Sequence, residues 1–372
     1  MRFWAVLPAA LSMKSAALIA SSMIFPASRR QPLNGSSKQM KVGDFDRISG
    51  RNVLKKSTLF LILFTMLAGY GFSEDAVSFY LENDSRRFKP NHATDRHYTH
   101  GTKFVYLTQP DWQWLEGFSQ WHFADVAQPV DTAVGFFLGQ NIYTPDHADD
   151  PPKRSDDDMV FAGWLYTGMF AQRATDDMLD HLELSVGVIG PSSKAKQVQK
   201  FIHDLVNSDE PIGWDEQLAD ELAVDLTLMR KQRLQGGWFA PTKSTDFIAE
   251  YGLTVGSVHR HLQAGITARY GFNLANTFGP ARMALPSGIS TLRKDKTASC
   301  GYLFARATGK AVEHNRFLTG LDEEPLVAEF QLGVAYQYKK LEVGYSQTFF
   351  TQEFEEQSGK DSFGAFTLSW KF

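Results

Sequence analysis

The residues best suited to do chemistry lie in three short stretches of the chain. One is Gly190-Pro-Ser-Ser-Lys-Ala-Lys-Gln-Val-Gln-Lys-Phe-Ile-His-Asp-Leu-Val-Asn207. Its period is helical: Ala195, Val198, Ile202 and Leu205 share one face, and Lys196, Gln199, His203 and Asn207 form a polar seam beside it. The expected buried stripe is the apolar face, with His203 next to it. A histidine at such a border, with Asp204 and Asp209 close by in sequence, can act as a general base. The same residues also describe a capped surface helix whose histidine is merely solvated. The second stretch, Glu82-Asn83-Asp84, offers a hard carboxylate and an amide, a pairing suited to calcium or to an oxyanion. The third, Thr94-Asp-Arg-His-Tyr-Thr-His-Gly101, would face it across a hairpin. His97 and His100 have H-x-x-H spacing, but in a strand they point to opposite faces, which argues against a shared zinc. The loop Asp146 to Asp158 encloses Lys153 and Arg154 among carboxylates. Most such runs are solvated, and a functional one would place both cations on lipid phosphates.

The elements that must carry these groups are strands. Hydrophobic alternation in segments of spanning length occurs near 76–84, 98–108, 132–141, 160–172, 181–190, 222–233, 244–256, 258–271, 300–311, 327–338, 340–351 and 363–372. Twelve antiparallel strands would close into a barrel with both termini at one end. The 29 phenylalanines and 13% aromatic content fit half-apolar strands, and the last strand places Phe366, Leu368, Trp370 and Phe372 on one face. Ending on an aromatic residue is similar to the terminal signature of outer-membrane barrels, which the barrel-assembly machinery inserts. The loops 142–159 and 272–299 are long, and long loops are expected to face outward. A soluble β-sandwich is the competing fold.

Lys55-Lys56 followed by the apolar run 57–70 and small residues at Gly71 and Ser73 describes an export signal, too short for a membrane anchor. Residues 1–73 are therefore expected to be an N-terminal extension plus cleaved signal, with Met40 an alternative start, and residues 74–372 the barrel. The single cysteine, Cys300, excludes an intrachain disulfide and cysteine-rich metal sites. The net charge of -4 does not decide between partners, and no nucleic acid is expected. Nucleophile-elbow, zincin, phosphate-loop and dinucleotide motifs do not occur after the signal.

In blocks, the chain resembles the outer-membrane lipid A 3'-O-deacylase family. The matching segments are ENDS at 82–85, TDRHYTHG at 94–101, GQNIYTPD at 139–146, FAGWLYTG at 161–168, LSVGVIGPSSKAKQVQKFIHDLV at 184–206, GWDEQLADE at 213–221 and FLTG at 317–320. The resemblance implies a twelve-stranded outer-membrane barrel, a short extracellular helix over the active site, and calcium-assisted release of the 3' acyl chains of lipid A in lipopolysaccharide. It places the family's asparagine-aspartate pair on Asn83 and Asp84, with Asp84 toward the metal, its threonine on Thr99 and its histidine on His203. A family glutamate falls on Asp209, a family tyrosine on Pro211, which has no side-chain donor or acceptor, and the loop lysine on Lys153. The enzyme is expected to act as a monomer. Two alternatives remain: a catalytically silent or pore-like barrel, and an esterase or phospholipase for another outer-membrane lipid.

Overall fold

A computed structural model describes residues 75–84, 96–119, 130–146, 157–206, 211–274, 277–284 and 299–372. The expected extension and signal, residues 1–73, lie outside the described residues. Twelve antiparallel strands close on themselves: β1 (Ala76–Asn83), β2 (His97–Thr108), β3 (Asp131–Thr144), β4 (Ala162–Ala174), β5 (Met178–Ile189), β6 (Glu221–Arg233), β7 (Thr245–Gly256), β8 (His259–Phe272), β9 (Ser299–Asn315), β10 (Leu326–Tyr338), β11 (Leu341–Phe350) and β12 (Ser362–Lys371). Each strand pairs with its neighbours in sequence, and β1 pairs with β12, so the barrel has no open edge. The observed strands match the expected ones to within a few residues.

The alternation runs apolar outward and polar inward, the reverse of a soluble core. In β10, the alternate residues Leu326, Ala328, Phe330, Leu332, Val334, Tyr336 and Tyr338 are exposed, while Glu329, Gln331 and Gln337 between them are buried. A wall of that kind is stable only against hydrocarbon. The lumen is held by ion pairs: Asp246 takes Arg233 and Arg269, Glu250 takes Arg306, and Glu329 is shared by Arg282, Arg306 and Lys310. Buried charges of this kind are tolerable because each has an opposite partner at contact distance.

One expectation about the loops is corrected. Residues 272–299 connect β8 to β9 at the end that carries the termini, where the Phe372 amide donates to the Asp75 carbonyl at 2.8 Å. In bacterial barrels that end is periplasmic. The described part of this connection turns into the lumen instead of outward. The Thr277 carbonyl accepts from Arg233 at 3.0 Å, the Phe278 carbonyl from Lys231 at 3.3 Å, and the Met283 carbonyl from Lys103 at 3.1 Å. The Met283 amide then reaches Glu82 at 3.2 Å, one residue before Asn83.

Two helices among the described residues lie against the barrel: α1 (Gln113–Ser119) and α2 (Ala195–Val206). The α1 helix follows β2 at the terminal end, and α2 follows β5 at the opposite end. The expected helix at 190–207 is divided. Pro191–Ser193 form a separate 3-10 turn, and Lys194, at φ 61, breaks it from α2.

Candidate active site

The ladder between β2 and β3 is interrupted by a bulge at Thr99, next to the end of β1. The ladder pairs Tyr98 with Tyr143 and then His100 with Ile142, so Thr99 has no residue opposite it on β3. Its carbonyl is turned toward β1, where it accepts from the Asn83 side-chain amide at 3.1 Å and from the Asp84 backbone amide at 3.2 Å. Its hydroxyl pairs with that of Thr144 at 2.7 Å. Asp84 is 1% exposed, and one carboxylate oxygen accepts from the Arg96 backbone amide at 2.9 Å. Asn83, Asp84 and Thr99 are thus one cluster, tied through backbone groups.

This cluster does not lie in the lumen. Along β3, Gln140, Ile142 and Thr144 follow the exposed Phe136 and Leu138 at two-residue steps, so they share the lipid-facing side. The α2 helix packs on that outer side. Gln140 donates to the Ser193 carbonyl at 2.7 Å, and Ile142 packs with Phe161, Ala195 and Trp214. Gly163 of β4 makes the approach possible. A Cβ there would stand 2.2 Å from both the Ala195 Cβ and the Ser193 hydroxyl. Pro191–Ser193 touch β4 and β5 while α2 touches β4 and β3, so the helix axis runs across the wall toward β2, which bears Thr99.

The buried line of α2 is Ala195, Gln199 and His203, at four-residue steps. This corrects the sequence expectation, which put the apolar residues inside and His203 beside them. Val198 and Ile202 are half-buried and Phe201 is exposed, while His203 is 8% exposed. The surroundings on that line are mixed: Ala195 packs with Ile142, Phe161 and Trp214, with Val198 partly buried against them. Gln199 accepts from the buried Trp214 indole at 2.7 Å, which fixes the helix one turn before His203.

Exposed contacts add to this hold. The Ser192 amide and hydroxyl donate to Asp220 at 2.7 and 2.8 Å, and these donors, the backbone amide first, keep its carboxyl below the usual carboxylate range. Lys196 lies 2.9 Å from Asp215 and lowers that carboxyl likewise, by its hydrogen bond and its charge.

His97 and His100 do not converge. His97 lies between Asp361 at 2.5 Å and Asp158 at 3.1 Å, and His100 meets Thr102 at 2.8 Å. Asp209, Lys153 and Arg154 lie outside the described residues, and Pro211 is buried. The sequence reading missed three supports, Gln140, Thr144 and Trp214, and gave Gln199 only as part of the polar seam of the helix. The first two carried a usable sign, being polar on the lipid-facing parity of β3. Arg96 was also missed. Besides its amide to Asp84, its side chain spans Asp361 at 3.1 Å and Asp146 at 3.5 Å, tying together the loops around the site.

Residues 57–372 match the family described as outer membrane protein LpxR. Among solved structures, LpxR from Salmonella typhimurium is similar at a TM-score of 0.65 with 20% identity, covering 80% of this chain and 100% of that one. The translocator domain of the autotransporter NalP from Neisseria meningitidis aligns at a TM-score of 0.38 and 11% identity, over 87% of this chain and 98% of its own. No curated protein matches in sequence.

Proposed function

The chain belongs to the LpxR outer membrane protein family, and from that membership we propose that it hydrolyses the esters holding the 3'-linked acyl chains of lipid A. It is an integral outer-membrane barrel. The observation that supports the reading is the position of the polar cluster, on the outer side of the wall beside the β3 positions on which α2 packs, and not in the lumen. A lipid can reach such a site without leaving its leaflet, while Thr277 to Met283 cross the lumen that a pore would need open.

In this reading His203 takes a proton from water, and the water oxygen attacks the ester carbonyl carbon. The tetrahedral species collapses by breaking the bond to the sugar oxygen, which recovers the proton from His203 and leaves as a hydroxyl; the fatty acid is the other product. Gln199 and Trp214 hold the helix so that the imidazole faces the wall. Thr99, fixed by Thr144, orients water or ester. Asn83 uses one amide proton to hold the Thr99 carbonyl, which keeps the bulge and Asp84 in place.

Asp84 and Thr99 supply hard oxygens of the kind calcium takes. Backbone oxygens and water would complete the shell. Calcium held there would supply positive charge for the developing oxyanion. The carboxylate group that does converge, Asp322, Glu355 and Glu356, is exposed on other loops. Lys153 and Arg154 are proposed to meet the lipid phosphates, Asp209 to orient His203, and the chain to act as a monomer after insertion by the barrel-assembly machinery.

The test is the mass of lipid A after incubation with the purified protein. Loss of the 3'-linked acyl substituents with the 2-position amide chains intact is the expected result. An unchanged lipid A, or release from glycerophospholipids only, would refute it.

A further inference from the structure

The two helices cover the same sector of the outer wall from opposite ends. Leu115 of α1 packs on Val134 and Ala171, and Trp112 meets Phe136 edge-on at 6.5 Å. Arg173 ties the helix down by donating to the Phe118 and Ser119 carbonyls at its C-terminal end. Four residues beyond Phe136 on the same face of β3, Gln140 is already bound to Ser193 in the turn that leads into α2. Between the two helices, only Phe136 and Leu138 of β3 are exposed apolar positions, at 40% and 52%.

The surfaces above and below this strip are interfacial in character. Trp112 and Trp114 of the lower helix region are 40% and 46% exposed beside exposed Gln113 and Glu116. Tryptophan mixed with polar residues belongs at a headgroup boundary. The outer side of α2 exposes Gln197, Lys200 and Asp204, which belong among headgroups. Phe136 to Gln140 is about 13 Å of strand, or about 10 Å along the membrane normal at a tilt near 40°. Across the barrel, β10 is bare from Leu326 to Tyr338, about 40 Å of strand and about 30 Å along the normal.

We propose that the β3–β4 sector is a contact for a locally thinned bilayer, in which α1 and α2 bring the two headgroup layers together and present the ester region of an outer-leaflet lipid to the wall beneath α2. The partner is the lipid surface itself. A bilayer of ordinary thickness meets β8 to β10 without distortion, but against β3 its headgroups must approach or leave apolar chains facing polar helix surfaces. Compression lowers the boundary where the ester of a sugar-linked acyl chain lies toward Gln140, Thr144 and Thr99. The use made of the thinning rests on the deacylase reading; the thinning itself does not.

The experiment uses the full chain carrying Cys300→Ser, which removes the one native cysteine, with either Leu138→Cys or Leu332→Cys bearing a nitroxide. In phosphatidylcholine vesicles free of lipid A, a water-soluble nickel complex should relax the label at 138 several-fold more than the label at 332. Equal protection of the two would overturn the proposal whether or not the protein is an enzyme. The activity arm uses Trp112→Ser with Trp114→Ser. The release of 3' acyl chains should fall several-fold in long-chain vesicles and stay unchanged in detergent micelles, where no thickness is imposed. An equal fall in both hosts would overturn the link to substrate. A wild-type chain inactive in micelles would refute the deacylase reading, leaving the label contrast to judge the thinning.

Discussion

The β3–β4 and β8–β10 sectors obey one alternation and use it for opposite ends. In β10 the lipid-facing series is apolar throughout, and all the polar side chains, Glu329, Gln331 and Gln337, lie on the lumen side. In β3 the lipid-facing series begins with Phe136 and Leu138 and then changes to Gln140, Ile142 and Thr144. A polar residue on that parity is costly against hydrocarbon, so it must be covered or used. Here the Pro191–Ser193 turn that leads into α2 binds Gln140, and the Thr144 hydroxyl pairs with that of Thr99. Polar groups facing the lumen fill the barrel; those on the lipid-facing side of β3 mark the sector in which the proposed site lies.

That contrast is tested most severely by removing the proposed base. His203→Ala is expected to leave a folded barrel and reduce 3' acyl release on the order of a hundredfold or more, whereas Leu332→Ala on the bare sector should leave the rate unchanged. Mass spectra of lipid A, with gel mobility before and after boiling as the folding check, measure both. A His203 variant as fast as wild type would move the chemistry away from α2. The rate of wild type should also decline as acid protonates the imidazole, since the cation cannot accept a proton.

Excess chelator is expected to stop turnover and calcium to restore it, with Asp84→Ala not rescued at ordinary calcium concentrations. Full activity in chelator would take the metal out of the mechanism. A smaller loss is expected from Gly163→Val. Its branched side chain would occupy the space of Ala195 and Ser193 and lift α2 from the wall, lowering the rate about tenfold while the strand ladder stays intact. The matching change at Gly309 in the bare sector, where no atom lies within 4 Å of an added Cβ, should be silent.

The strands were legible because the period of two is imposed by the backbone and survives whichever side is apolar. Placing the 272–299 connection outward was avoidable: a connection after an even-numbered strand returns to the end where the chain began. The course of its residues through the lumen was not legible, since Phe278 and Met283 look like ordinary loop residues until Lys231, Lys103 and Glu82 are brought around them. The period of α2 was legible, but not which face it buries. The usual rule buries the apolar stripe alone, and here the Trp214 indole draws the polar Gln199 into the buried line beside Ala195. Asn83, Asp84 and Thr99 stand together in the hairpin the sequence suggested, yet the bulge that turns the Thr99 carbonyl toward them leaves no trace in residue types.

The smallest effect should come from the outermost contact of the covered sector. Asp220 accepts from the amide and the hydroxyl of Ser192, at the start of the turn that leads into α2. Those donors favour the carboxylate and lower its pKa on folding, so the grip is present above the ordinary carboxylate range near 3.9 and is lost as pH falls through the depressed folded value. Both partners are solvent-exposed, which limits the contribution. Asp220→Asn keeps one acceptor oxygen and loses the charge, and at neutral pH it should slow 3' acyl release by about twofold or less. Hydrogen exchange gives the sharper reading. In wild type, protection of the α2 amides should decline on acidification through that value, while the Asp220→Asn variant, whose side-chain amide has nothing to titrate, should give a flat profile. Identical acid dependence in the two proteins would mean that α2 is held by Trp214 and Gly163 alone, with the Ser192 contact a bystander.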